Sequence, residues 1–437
     1  MISPKPTFGT SGPRRHGIGL VALGVTLLGI VVASPATADP GIGPRPVLPA
    51  AAPAATKQVA SLAAGRPAMQ VERLAQTMDQ WSRQVLASGQ TPGLAWVMVA
   101  DGRVVASKGY GVTDVDSRSA VGADTVFRLA SLSKGFASSL AALLVRDGVL
   151  HWSDRVQDRV PALVLKDDVG AGHLRLDQLL SHRVGLPRNS YDHQLEAEQP
   201  YPLLVEKLDQ IAPVCPVGDC YAYQNVAFSL IGDLVFASTG DFFTHQVEKR
   251  LFHPLGMQSA TYGRDALLAS PSHALPHVRR GGRWVVVTPK ETYYRVPPAA
   301  GVNASSNDLG QWLLAQLGHR PDVLPVNLVS ELHTPLVATP GETVGSSWRR
   351  SRVKSASYAL GFRVYDYAGH QLVFHAGAVQ GYRAMLAILP EQDFAIALMW
   401  NGESAVPTGL LPNVLDRRLA LAPRNWLQLP KPVARRR

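Results

Sequence analysis

Strand-like patterns occupy two blocks at opposite ends of this chain, with helical patterns between them. On the N-terminal side, residues 94–100 and 103–108 are β-rich runs flanking Asp101-Gly102, a dipeptide suited to a tight hairpin turn. From residue 358 onward, residues 361–367, 371–375, 383–389 and 394–400 read as short apolar strands separated by turns. Ahead of the first block, Val71, Leu74, Met78, Trp81 and Val85 step by three and four, an amphipathic helix that Pro92-Gly93 breaks. Helical patterns follow at 176–181, ending by Gly185 and Pro187, at 226–237, ended by Gly240, and at 309–317. A short hairpin is predicted around Gly281-Gly282, and a last helix over 410–419. The simplest assembly joins both strand blocks into one antiparallel β-sheet flanked by helices, with a helical domain beside it, an α+β fold. No internal repeat or heptad array is present.

The 437 residues suffice for one large domain or two moderate ones. An apolar fraction of 46% and a charged fraction of 17% describe a globular chain. Arg14, Arg15 and His16 precede an apolar run over 17–33, and Ala36-Thr37-Ala38 offers small residues for cleavage before Asp39. Residues 1–38 therefore read as a signal peptide for an exported, periplasmic or secreted protein, with an uncleaved anchor as the alternative. Residues 39–68 form an Ala/Pro-rich linker, 69–425 the folded domain and 426–437 a basic tail. Cleavage removes Lys5, Arg14 and Arg15 and no acid, lowering the formal net charge from +10 to +7. That balance suits association with an anionic cell-wall or membrane surface, although a solvated tail is the simpler account. No nucleic-acid motif is present, and nothing in the sequence sets an oligomeric state. The two cysteines, Cys215 and Cys220, are read as a disulfide closing a short loop, since two ligands alone make a poor metal site.

Three motifs carry chemistry. In the stretch 127–146, Ser131 and Lys134 stand three apart at the start of an apolar helical pattern that Gly148 stops. Such a pair shares a helix face, and the free N–H groups of a first turn favour developing negative charge. About one Ser-x-x-Lys is expected by chance in a chain of this size. The second match, Ser351 to Lys354, lies in a basic run and reads as a solvated loop. Tyr223-Gln-Asn225 follows Cys220 and precedes an apolar helix. A tyrosine beside a lysine ammonium has its phenolate stabilised for accepting the serine proton, and an asparagine amide both holds a lysine and donates to a substrate carbonyl. Taken alone, the pair also fits a buried tyrosine and a helix-capping asparagine. His375-Ala376-Gly377, at the end of a predicted strand and followed by Ala378, would let an acyl group lie along the strand edge. The amides of Ser131 and Ala378 are candidate oxyanion donors.

No Gly-x-Ser-x-Gly elbow, His-Glu-x-x-His or Walker-type glycine loop is present. In their order, the three motifs resemble the serine β-lactamase and penicillin-binding protein superfamily, nearest to class C β-lactamases, D-alanyl-D-alanine carboxypeptidases and their esterase relatives. Supporting segments are Pro92-Gly93, 179–187, 298–301 with 306–308, and 377–381, so the likeness covers roughly residues 70–420. The resemblance implies Ser131 as acylated nucleophile and Lys134 and Tyr223 as the groups sharing proton transfer. It implies Asn225, His375, Ala376, Gly377 and Ala378 as the substrate-binding set, with no metal or cofactor. The expected substrate is a small molecule or peptide, a β-lactam or a D-alanyl amide. A short-chain ester hydrolase and a β-lactam-acylated sensor remain as alternatives. The family's Lys-Thr-Gly is replaced here by His-Ala-Gly, and a histidine supplies no permanent charge at neutral pH. The substitution implies both weaker carboxylate recognition and a weaker lowering of the Tyr223 pKa than in a class C β-lactamase.

Overall fold

A computed structural model describes residues 67–429, apart from 167–169 and 171. The expected signal peptide, most of the linker and the end of the basic tail lie outside the described residues. Eight strands form one antiparallel sheet: β1 (Gly93–Ala100), β2 (Arg103–Gly111), β3 (Val337–Ala338), β4 (Val353–Tyr358), β5 (Arg363–Tyr367), β6 (His370–Val379), β7 (Tyr382–Leu389) and β8 (Phe394–Trp400). Their spatial order is β2-β1-β8-β7-β6-β5-β4-β3. The first hairpin thus docks on the last strand, with Leu94 opposite Trp400 and Ala100 opposite Phe394. Both strand blocks do share one sheet.

The hairpin forms where the sequence placed it. Asp101 and Gly102 have φ of 50° and 70°, the double left-handed geometry whose twist matches that of the flanking strands. All eight residues of β1 are buried because the sheet is covered on both faces. Ala95, Val97 and Val99 face one core, and Leu94, Trp96, Met98 and Ala100 the other. Alternating side chains explain this division. The second core is closed by α1 (Pro67–Ala87) and by Leu410, Leu411, Val414 and Leu415 of the C-terminal helix, Leu410–Arg418. Val71, Leu74, Met78 and Val85 are buried there, while Trp81 is only partly so.

The first core holds α2 (Ser133–Arg146), whose residues from Ser133 to Leu144 are all buried. A helix covered on every side needs apolar neighbours on every side, and it has them. Phe136 stacks on Trp312 at 3.9 Å and meets Phe252 edge-on at 5.5 Å. Each such fully buried ring contributes roughly 1.5–3 kcal/mol from removal of apolar surface. Leu230–Thr239 and Ser306–Gln316 are the later helices expected from the pattern, and the disulfide Cys215–Cys220 is formed.

Three expectations are corrected. The stretch 127–146 is not one helix: Phe127–Arg128 is a short strand paired with Val302–Ala304, Ala130–Leu132 is a 3-10 turn, and the α-helix begins at Ser133. The His375-Ala376-Gly377 triplet lies inside β6 rather than at its end, since pairing with β7 continues to Val379. Ser351 lies in the last turn of a short helix, Ser347–Arg352, and Lys354 lies in β4, although both side chains are exposed as expected.

Asn401 ties the hairpin to the end of β8. Fully buried, it accepts from the Gly93 N–H at 2.8 Å and donates to the carbonyls of Val112 (3.1 Å) and Thr113 (3.0 Å). Substitution Asn401→Ala takes this partner from the Gly93 N–H and the Val112 carbonyl, while the Thr113 carbonyl keeps the Leu275 N–H at 2.9 Å. Its expected cost is about 2–4 kcal/mol, read as a lower midpoint in urea unfolding.

Candidate active site

The site begins with a strained turn. Ala130 has φ of 50°, a left-handed conformation that costs a non-glycine residue roughly 1–2 kcal/mol. The Ser133 hydroxyl fixes the turn by donating to the Ala130 carbonyl at 2.6 Å and accepting from the Val302 N–H at 3.0 Å. Ser131 therefore stands at the mouth of α2, half-buried, instead of within its first turn. Gly377 is packed against this turn so closely that a Cβ there would lie 2.2 Å from the Leu129 carbonyl and 3.1 Å from the Ser131 nitrogen. Only glycine lets β6 approach the serine backbone this closely.

Lys134, one turn further on, is wholly buried. Its ammonium nitrogen donates to Asn225 Oδ1 at 2.7 Å and to the Ala299 carbonyl at 3.0 Å, and lies 4.6 Å from the Tyr223 ring centre. No carboxylate pairs with it among the described residues, so burial drives its pKa far below the usual lysine range; Arg363 adds to this and Asp192 opposes it. Asn225 is oriented by two partners: with its oxygen facing Lys134, its Nδ2 donates to Asp192 Oδ2 at 2.7 Å. Burial pushes the Asp192 carboxyl up to about 6, against the opposing pull of Asn225 and Lys134.

Tyr223 is buried, and the Ser131 hydroxyl beside it favours its phenolate. Burial raises its pKa above the ordinary value, with the Arg363 guanidinium, 5.2 Å from the ring centre, pulling the other way. Burial thus works against the expected ammonium–phenolate pair at both groups.

His375 belongs to a directed hydrogen-bond chain. The Gln224 N–H donates to His182 Nδ1 at 3.1 Å, which leaves the His182 proton on Nε2. That proton faces the Tyr358 oxygen at 3.2 Å, and Tyr358 donates in turn to His375 Nε2 at 3.2 Å. Arg363 Nη1 donates to the same nitrogen at 3.1 Å, and His375 Nδ1 donates to the Ala376 carbonyl at 3.0 Å. Both imidazoles are held neutral, their pKa values lowered by burial and then by Lys134 and Arg363. The permanent charge in this corner is Arg363, whose Nε lies 3.4 Å from Glu342.

The predicted residues converge, with one exception. Ser131, Lys134, Tyr223, Asn225, His375 and Gly377 meet around the turn, and exposed Ala378 follows on the strand. Ala376 instead packs its side chain against the core on the far face of the sheet and offers the site only its backbone. Pairing of β6 with β5 stops at Phe374, opposite Arg363, so residues 375–379 keep one free edge. Sequence reasoning missed Arg363, Tyr358 and Asp192. It quoted His182 within a familiar segment but gave it no role. Two cavities flank the site. One of about 340 Å³ runs along Ala378, Val379 and Gln380 beside Tyr293. The other, of about 540 Å³, is lined by Tyr221, Arg188 and Glu342. Among the described residues no cluster of His, Cys, Asp or Glu is placed to hold a metal ion.

The Beta-lactamase family profile matches residues 78–420. Unguisins hydrolase ungD' of Aspergillus campestris is 25% identical over 367 residues, which are 80% of this chain and 65% of that protein. Protein flp of Staphylococcus aureus is 24% identical over 333 residues, 75% and 63% of the respective chains. This chain thus spans just under two thirds of the length of these curated relatives. Among solved structures, the octameric penicillin-binding protein homologue from Pyrococcus abyssi superposes with a TM-score of 0.70 at 20% identity, covering 82% of this chain and 79% of its own. SurE superposes with a TM-score of 0.65 at 22% identity, covering 84% and 79%. These two likenesses establish the shared fold. The chain belongs to the β-lactamase family, within the serine β-lactamase and transpeptidase superfamily.

Proposed function

We propose that this protein is an exported serine hydrolase that forms an acyl-enzyme on Ser131 and cleaves a β-lactam or D-alanyl peptide amide. The observation that carries the reading is the buried, carboxylate-free Lys134 one helical turn from Ser131, its nitrogen held by Asn225 and lying 4.6 Å from the Tyr223 ring centre. A lysine kept neutral is a base at physiological pH. It takes the Ser131 proton, through the Tyr223 phenol, as Oγ bonds to the substrate carbonyl carbon. The resulting oxyanion is stabilised by the amides of Ser131 and Ala378. Collapse breaks the carbon–nitrogen bond, and the leaving nitrogen takes a proton from Tyr223, which Lys134 replenishes. Water then repeats the sequence on the ester and releases the acid. The free edge of 375–379 favours an extended amide substrate, which forms main-chain hydrogen bonds there.

Export rests on the basic–apolar–small pattern of residues 1–38, and the Cys215–Cys220 disulfide is compatible with it. N-terminal sequencing of the protein recovered outside the cytoplasm is expected to begin at Asp39.

Ser131→Ala is expected to abolish turnover of a chromogenic cephalosporin or a D-alanyl-D-alanine peptide. Lys134→Ala and Tyr223→Phe should each reduce kcat by about a hundredfold or more. Hydrolysis of an activated ester alone would reject the amide assignment.

The pH profile gives a signed test. Activity requires Lys134 unprotonated, so kcat/KM rises with pH through its depressed pKa. Asp192 raises that pKa and Arg363 lowers it. Asp192→Asn should move the acidic limb to lower pH and Arg363→Met to higher pH. Shifts in the same direction, or none, would count against Lys134 as the base.

A further inference from the structure

The 340 Å³ cavity beyond Ala378 contains a charge that the mechanism does not use. Arg128, three residues before the nucleophile, contributes to its wall and is only 2% exposed. One nitrogen, Nη1, donates to the Lys290 carbonyl at 2.8 Å, and the guanidinium lies 3.5 Å over the Tyr294 ring. Its Nε and Nη2 have no hydrogen-bond partner. Nearby Glu291 is 3.4 Å from Arg264 instead. A buried guanidinium without a carboxylate is an unfavourable state, and burial accordingly lowers its pKa. Two further cations share the wall. Lys290 is exposed, and Arg383 is half-buried with Nη1 on the carbonyls of Val379 (2.7 Å) and Tyr382 (2.8 Å). The two carboxylates in the wall, Glu196 and Glu403, are both at exposed positions. Glu196 accepts from the Tyr293 hydroxyl at 3.0 Å and Glu403 from the Gly381 N–H at 3.1 Å. The buried charge is therefore the cation, and the carboxylates lie where water solvates them.

The direction of the substrate follows from the proton path. A leaving nitrogen that takes its proton from Tyr223 must face that tyrosine, and the 540 Å³ cavity with Tyr221 and Arg188 lies on that side, Arg188 standing 5.8 Å from the Tyr223 ring centre. The acyl portion then runs the other way, past the Ala378 amide and along Val379 and Gln380. We propose that the cavity lined by Arg128, Lys290 and Arg383 binds a carboxylate carried on the acyl portion of the substrate. This rests on the acyl-enzyme reading for its direction and goes beyond it by naming the substrate class. An anion here relieves the uncompensated Arg128 charge, so selectivity comes from the protein's side as well as the ligand's.

The test separates binding from turnover. Full-length Ser131→Ala protein is titrated by calorimetry with glutaryl-D-alanyl-D-alanine and with its glutaramoyl counterpart, in which an amide replaces the distal carboxylate. The glutaryl compound should bind about tenfold to a hundredfold tighter, the range for hydrogen bonds to a charged group. Adding Lys290→Gln should reduce that ratio, and adding Arg128→Met should abolish it. Because Arg128 is buried and its variant is at risk of misfolding, the exposed Lys290→Gln and the half-buried Arg383→Gln carry the test independently. Equal affinity, no measurable binding of the glutaryl compound, or a ratio unmoved by all three substitutions overturns the proposal. Selective binding by the Ser131→Ala protein, combined with no turnover of either compound by the unsubstituted enzyme, would instead sink the hydrolase reading and leave the anion site standing.

Discussion

The structure depends on keeping Lys134 dry and unpaired. A lysine exposed to water is protonated at neutral pH and cannot accept a proton, whereas one buried beside a carboxylate is held in its charged form. Here a helix covered on every side places the amine in the interior, and its partners are the oxygens of Asn225 and Ala299, which carry no charge. Asp192 stands behind Asn225, close enough to orient the amide and separated from the amine by it.

A second constraint is electrostatic. The strand opposite the nucleophile carries His375, which burial keeps neutral. Arg363, on the neighbouring strand, supplies a cation 5.2 Å from the Tyr223 ring centre, anchored on Glu342. The His182–Tyr358–His375 chain then serves as a rigid spacer that fixes Arg363 relative to β6. Its proton positions are set from one end by the Gln224 N–H and from the other by the Ala376 carbonyl. Gln224 thereby gains a role, since it connects the Tyr-x-Asn loop to this chain and donates from Nε2 to the Leu186 carbonyl at 3.2 Å.

Much of this was legible in the residues. The strand 394–400 and the Asp101-Gly102 turn follow from local chemistry, and the pairing of terminal strand blocks follows from the need to bury both faces. The start of α2 was misplaced because the left-handed Ala130 is imposed by the Ser133 hydroxyl and the Val302 strand, neither of which local composition signals. β4 was missed because Lys354 and Ser355 are exposed and mask its alternation. Arg363 and Tyr358 carry no motif; Arg363 reaches His375 from the adjacent β5 and Tyr358 from β4 beyond it, and His182 reaches Tyr358 across 176 residues of sequence. Those contacts are products of topology. The pKa directions at Lys134 and Tyr223 likewise follow from burial, which spacing alone does not convey.

The most direct test of this account is the intact mass of the protein after brief exposure to penicillin, followed by mapping of the modified peptide. The account predicts a one-to-one adduct on the peptide containing Ser131, lost on continued incubation and absent from the Ser131→Ala protein. An adduct on another residue, or an unmodified protein that nevertheless consumes the compound, would contradict it.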